Sequence, residues 1–168
     1  RYIGFSFHDS PEYLEQILCD HPEVDIVQLQ INYADWENPA IQSRACYEVA
    51  RRHGKPVIVM EPVKGGGLAN LPEGARAYLD VLGSGSSAAS YAIRYAASLE
   101  GVAAVLSGMS DLDQVRDNTA YMADFKPLTE REYEAIEKVR EYLSRSGEIA
   151  CTNCRYCTTE CPKQIAIP

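Results

Sequence analysis

The chain has 168 residues, 46% of them hydrophobic and 24% charged, enough for one domain with a buried core plus a short appendage. Its formal net charge of −8 argues against nucleic acid or an anionic membrane surface as partner. No apolar run approaches the roughly 20 residues of a membrane span, and Arg1-Tyr2-Ile3-Gly4-Phe5 reads as neither a signal peptide nor a transit sequence.

The opening residues lack a starting Met and run straight into a strand-like segment, so the chain is expected to be a piece of a longer protein. Tyr2 to Phe7 reads as the first buried strand. Ser10-Pro11 supplies an N-cap with proline at the first helical position, and Leu14, Ile17 and Leu18 share one face of that helix. Val24 to Ile31 is the second strand. Asn38-Pro39 repeats the cap-and-proline device, and Gly54 with Pro56 closes the second helix. The third strand, Pro56 to Met60, leads to Gly65-Gly66-Gly67. This stretch lacks the lysine and helix start of a phosphate loop, and Lys64 beside it adds little.

Helices over Glu73 to Leu82 and Ser87 to Leu99 flank a flexible loop, Gly83-Ser84-Gly85-Ser86. Val102 to Ser107 is the fourth strand, after which Ser110 can cap a helix containing Leu112 and Val115. The last helix carries the fullest set of signals. Thr129 and Glu132 form a capping box, Leu128 can staple onto Tyr133, Ile136, Val139 and Leu143 give a buried stripe, and Gly147 ends it. Such alternation predicts an α/β protein with a parallel sheet. An open doubly wound sheet and a closed eight-stranded barrel both satisfy it, although a closed barrel typically needs about 250 residues. The absence of a glycine fingerprint at a helix start leans toward the barrel.

The tail reads Cys151-Thr-Asn-Cys154-Arg-Tyr-Cys157-Thr-Thr-Glu-Cys161-Pro162, which is C-x2-C-x2-C-x3-C-P, the run of bacterial ferredoxins. Three thiolates spaced two residues apart can wrap one corner of a 4Fe-4S cubane. A zinc knuckle would need a long interval between two C-x2-C pairs, and a redox dithiol would use only one such pair. In two-cluster ferredoxins the fourth cysteine before proline serves the other cluster. Cys161 is therefore expected to belong to a second cluster, completed by a further cysteine run beyond Pro168 in the full-length protein. Clustered thiols of this kind imply a reducing compartment and a cytoplasmic protein. The remaining cysteines, Cys19 and Cys46, read as small buried core residues on helices.

Several motifs together resemble the aldo/keto reductase family, in its branch with a C-terminal ferredoxin-like 4Fe-4S domain. They are Ile3-Gly4-Phe5-Ser6-Phe7-His8, Val27-Gln28-Leu29-Gln30-Ile31-Asn32-Tyr33, Met60-Glu61-Pro62 with Gly65-Gly66-Gly67-Leu68, and Leu106-Ser107-Gly108-Met109-Ser110 leading to Gln114-Val115-Arg116-Asp117-Asn118. The tail Cys161-Pro162-Lys-Gln-Ile165-Ala-Ile167-Pro168 fits the same branch. The resemblance implies the C-terminal half of a (β/α)8 TIM barrel over residues 1–147, followed by a ferredoxin-like iron–sulfur segment over 148–168. It implies an NAD(P)H cofactor, with Ser6 and Gln30 at the nicotinamide carboxamide. Glu61, Pro62 and Gly66 would run along the pyrophosphate, Gly108, Ser110 and Gln114 would lie near the nucleotide phosphates, and Asp117 and Asn118 would meet the adenine.

The chain departs from the family pattern at several of these positions. Phe7 stands where asparagine usually follows the serine, Met60 where an aromatic ring stacks on the nicotinamide, and Gly108 and Gln114 where basic residues clamp a 2′-phosphate. The family's Asp, Tyr, Lys and His tetrad comes from the first four barrel strands, so no catalytic residue is expected in this chain. The resemblance implies an oxidoreductase acting on a small carbonyl substrate in the full-length protein, with a redox partner protein for the cluster. The alternative is a non-catalytic barrel scaffold for an electron-transfer protein. His8 reads either as an active-site-face residue or as a helix-capping neighbour of Ser10, and Trp36 as a pocket wall or a loop anchor. His21 and His53 read as helix-end residues. Glu12, Glu15, Glu48, Glu134 and Glu137 read as solvated helix faces.

Overall fold

A computed structural model describes residues 1–145 together with 162 and 163. Among them, β1 (Gly4–Phe7), β2 (Ile26–Gln30), β3 (Val57–Met60) and β4 (Val102–Val105) form one parallel sheet in the order β1-β2-β3-β4. The helices are α1 (Pro11–Asp20), α2 (Ser43–Arg52), α3 (Glu73–Asp80), α4 (Ala88–Ala97), α5 (Leu112–Ala123) and α6 (Glu130–Arg145). None of the described helices is long and apolar enough to cross a membrane.

The strand order decides between the two architectures. A doubly wound sheet reverses its strand order at a switch point and is covered on both faces. Here the order never reverses, and the helices gather on one face. Phe7, Val27, Leu29, Val57 and Val59 point into a core with Leu14 and Leu18 of α1, Val49 and Ala50 of α2, and Ala96 of α4. The alternate residues Ser6, Gln28, Gln30, Ile58 and Met60 lie on the other face, half-buried or exposed. That is the arrangement of consecutive barrel strands, with the second face turned to the barrel interior. A second core binds α3, α4 and α6 through Ala75, Leu79, Tyr91, Leu128, Ile136 and Val139. Helices α3 and α6 approach closely because Gly74 has no side chain: a Cβ there would sit 2.7 Å from the Tyr142 hydroxyl.

Local signals behave unevenly. The Ser10 hydroxyl accepts from Tyr13 N at 3.3 Å, as the cap predicts. Thr129 and Glu132 make the reciprocal capping box, Thr129 N donating to Glu132 Oε2 at 2.8 Å and Glu132 N to Thr129 Oγ1 at 3.4 Å. Asn38-Pro39 does not open a helix. Asn38 Oδ1 accepts instead from Ala40 N and Ile41 N, closing a turn, and α2 begins only at Ser43 after Gln42 at φ 55°. The cap of α5 is Asp111, one residue beyond the expected Ser110, because its carboxylate takes both Asp113 N and Gln114 N at 2.9 Å. Cys46 is buried as expected, whereas Cys19 is exposed on the solvent side of α1. Gly147 and the cysteine run Cys151, Cys154, Cys157 and Cys161 lie outside the described residues.

Candidate active and cofactor site

The open face of the sheet carries its polar residues at the C-terminal ends of the strands. Ser6 pairs with Gln28, and Gln30 pairs with Met60. Gln28 Nε2 rests against Met60 Sδ at 3.4 Å. Gln30 Nε2 donates to Asp35 Oδ2 at 3.1 Å. A carboxylate only accepts, so the amide nitrogen must face Asp35, and Gln30 Oε1 is left to accept from a ligand. Phe7 points to the helix side with its ring in the core, so the position after Ser6 offers the open face no donor.

Behind Gln30 lies a polar network that the sequence did not single out. Asn32 and Asp35 are fully buried, and Lys64 reaches over from the loop after β3 to pair with Asp35 Oδ1. Asn32 Nδ2 donates to Asp35 Oδ2 at 2.9 Å and to the Glu61 carbonyl at 3.1 Å, and Asp35 N donates to Asn32 Oδ1 at 2.9 Å. Both oxygens of the buried Asp35 carboxylate thus find donors, as a buried charge requires. The network staples the loop after β2 to the loop after β3. An N-x-x-D spacing after a strand hints at the turn, but the Lys64 contact spans 29 residues and has no local signature.

The loop after β3 is shaped by left-handed backbone at Glu61 (φ 57°), Lys64 (φ 50°), Gly65 (φ 60°) and Gly66 (φ 96°). Two of these are not glycine, and each such residue costs on the order of 1 kcal/mol that the network must offset. The loop borders a cleft of about 750 Å³, in the size range of small-molecule sites. Glu61, Pro62, Gly66, Gly108, Ser110, Gln114, Asp117 and Asn118, eight of the expected cofactor positions, all line it. Ser6 and Gln30 do not. Gln30 lies with His8 and Asp9 in a separate 60 Å³ depression, too small for a whole cofactor but with room for a single group such as a carboxamide.

Within the cleft the side chains are held by neighbours. Asp117 Oδ2 accepts from Ser87 Oγ at 2.5 Å. Asn118 donates to Ser107 Oγ at 3.0 Å and accepts from the Tyr121 hydroxyl at 2.5 Å. Burial, and then the nearby charge of Asp117, pushes the Tyr121 hydroxyl upward, so it stays a protonated donor. Ser110 N donates to Gln114 Oε1 at 2.8 Å. The amides at the start of α5 are thus already occupied by Asp111 and Gln114. Among the described residues the cleft walls carry four carboxylates, Glu61, Asp111, Asp113 and Asp117, against a single basic side chain, Arg76, itself paired with Asp80. Trp36 meets Tyr47 at a tilt and Tyr95 edge-on, at centroid distances of 5.5 and 6.1 Å; it does not line this cleft but borders a separate depression with Tyr33, Tyr95 and Tyr133.

Comparison with known proteins accounts for this architecture. The family described as the aldo/keto reductase family matches residues 1–141. An aldo-keto reductase from Bacillus halodurans, solved in its holo form, is 26% identical with a TM-score of 0.61, over 83% of this chain and 50% of that one. One from Klebsiella pneumoniae, solved in complex with NADPH, is 17% identical with a TM-score of 0.62, over 83% of this chain and 48% of that one. The chain therefore spans about half the length of the solved structures it resembles. No curated protein sequence gives a significant match. With consecutive parallel strands, helices on one face and a polar cleft at the strand ends, the chain belongs to the aldo/keto reductase family.

Proposed function

We propose that the chain is the cofactor-binding half of a cytoplasmic NAD(P)-dependent carbonyl reductase that also carries a 4Fe-4S module. The observation that carries the reading is the 750 Å³ cleft, because eight residues expected from family resemblance converge on it from two loops and a helix. When bound, a nicotinamide cofactor supplies hydride to the carbonyl carbon of a small substrate. The chain's own residues bind and orient. Gln30, held by Asp35, accepts from the carboxamide amide, and Ser6, the register partner of Gln28, lies on the same open face. The Glu61–Gly66 loop follows the pyrophosphate, and Asp117 and Asn118 meet the adenine. Proton donation falls to residues of the other barrel half. The acidic walls of the cleft disfavour a 2′-phosphate, so NADH is the favoured form over NADPH.

The run Cys151, Cys154, Cys157 and Cys161 fits iron–sulfur ligation by its chemistry and spacing, the first three serving one cluster and Cys161 a second, over a segment 148–168 that follows the barrel half 1–147. Such a cluster supplies single-electron transfer, whereas hydride moves two electrons together. This favours exchange with a redox partner protein over direct coupling to carbonyl reduction. Calorimetric titration of the full-length protein with NADH and NADPH tests the barrel reading: NADH binds more tightly, and Gln30→Ala weakens it about fivefold to tenfold, the worth of one good hydrogen bond. Tighter binding of NADPH overturns the charge argument, and binding of neither overturns the cofactor assignment. Anaerobic reconstitution with iron and sulfide, followed by EPR of the reduced form, tests the cluster. Failure to retain iron and sulfide in equal amounts removes it.

A further inference from the structure

Glu15 and Cys19 stand four residues apart on α1, on one helix face. His53 caps the C-terminal end of α2, which packs beside α1. A ligand atom from each of the three lies within 4.8 Å of the other two. Glu15 Oε1 is 2.6 Å from His53 Nε2 and 4.0 Å from Cys19 Sγ. We infer that Glu15, Cys19 and His53 form a binding site for a zinc-class divalent transition metal, tying α1 to α2 on the outer helical layer. None of the three lines the cleft at the strand ends, and none belongs to the cysteine run 151–161.

The donor chemistry selects the ion. A thiolate, an imidazole and a carboxylate are the ligands zinc takes, whereas calcium and magnesium take oxygen alone. In a tetrahedral site with bonds of about 2.0–2.3 Å, ligand atoms stand about 3.3–3.8 Å apart. The Glu15–His53 separation is shorter than this and the Glu15–Cys19 separation slightly longer. Side-chain shifts of under about 1 Å therefore bring all three to bonding positions. His53 is 20% exposed and Cys19 is on the surface, so an ion has a path in and water can fill a fourth position.

The neighbours orient this set. Arg52 Nη2 holds the second carboxylate oxygen of Glu15 at 2.7 Å, fixing which oxygen faces His53. Its guanidinium also opposes a cation, which places the site among moderate binders and not permanently filled structural ones. Glu15 thus turns one carboxylate oxygen toward His53 and Cys19 and the other toward Arg52.

The test is a cobalt(II) titration of the chain in which Cys151, Cys154, Cys157 and Cys161 are each replaced by serine, under anaerobic reducing conditions. One equivalent of cobalt gives a thiolate-to-metal charge-transfer band with d–d bands of four-coordinate intensity, and zinc displaces it. Cys19→Ser abolishes the charge-transfer band. His53→Ala weakens binding at least about tenfold, since changes even to outer-shell partners cost that much. If the serine background fails to fold, the zinc bound at saturation by the unaltered chain in titration is compared with that of its Cys19→Ser variant, which takes up one equivalent less. No thiolate band in the folded serine background, a band that survives Cys19→Ser, or equal zinc contents overturns the site.

Discussion

Tyr33 follows β2 and is 1% exposed, with its ring edge-on to Tyr95 at 6.0 Å. Its hydroxyl has no hydrogen-bond partner among the described residues. Burial pushes its ionisation far upward, so the group is a neutral hydroxyl stripped of water. Leaving such a group unpaired costs about 1–3 kcal/mol. Tyr33→Phe keeps the ring packing and discards the oxygen, so it is expected to stabilise the fold by about 1 kcal/mol. The measurement is a urea midpoint raised at unchanged m value. A lowered midpoint means that the hydroxyl has a partner. The contrast with Asp35 is instructive, because Asp35 is equally buried but meets donors from Gln30, Asn32 and Lys64. One is a polar atom left over from packing an aromatic ring. The other is a network that fixes two loops at the mouth of the site.

Helices α4 and α6 are joined by a bidentate pair, Arg94 Nη1 to Glu132 Oε1 at 2.7 Å and Nη2 to Oε2 at 3.3 Å. Arg94 Nε also donates to the Lys126 carbonyl at 3.0 Å, gathering the segment that leads into α6. Burial alone would raise the Glu132 carboxyl, but hydrogen bonds from Arg94 and Thr129 outweigh it and leave the group below the usual glutamate range. A carboxyl lower in the folded than in the unfolded chain adds stability above its unfolded value and loses it as pH falls through the folded value. Arg94→Met is therefore expected to destabilise by about 2 kcal/mol at pH 7. That deficit shrinks as pH falls from neutral to well below the ordinary glutamate range, through the lowered folded value of Glu132. Denaturant midpoints of the two proteins at neutral and acid pH check this, and a deficit unchanged by acid assigns the effect to packing instead. The local half of this clamp was legible, since Thr129-x-x-Glu132 is a capping box on sight. The other half was not, because Arg94 lies 38 residues away. The same limit explains the misread starts of α2 and α5. Asn-Pro is as good a turn as a helix opening, and Asp111 outcompetes Ser110 by offering its carboxylate to two amides.

At the scale of the whole molecule, strand-helix alternation made the parallel sheet legible, but not whether it closes. That choice rests on which face the helices cover, and periodicity of four- and five-residue strands does not reveal it. The eight cleft residues were legible only because their motifs recur together; singly, the glycines and the Asp117-Asn118 pair are weak signals. The one-sided sheet has a consequence for the isolated chain. Among the described residues, β1 and β4 each pair on one side only, leaving two rows of backbone donors and acceptors and the open face with Ser6, Gln28 and Gln30. Tyr2 and Ile3 at one edge are 86% and 58% exposed, and Leu106 and Met109 beyond the other are 47% and 41% exposed. Unprotected edges of this kind recruit further strands. Expressed alone, the chain is expected to self-associate, with a mass by light scattering that falls on dilution. On the half-barrel reading, a protein in which further barrel strands occupy both edges should show no such dependence. A chain that stays monomeric at every concentration, with no exposed apolar surface by dye binding, would mean that β1 and β4 are covered from within the 168 residues, and the half-barrel reading would fail.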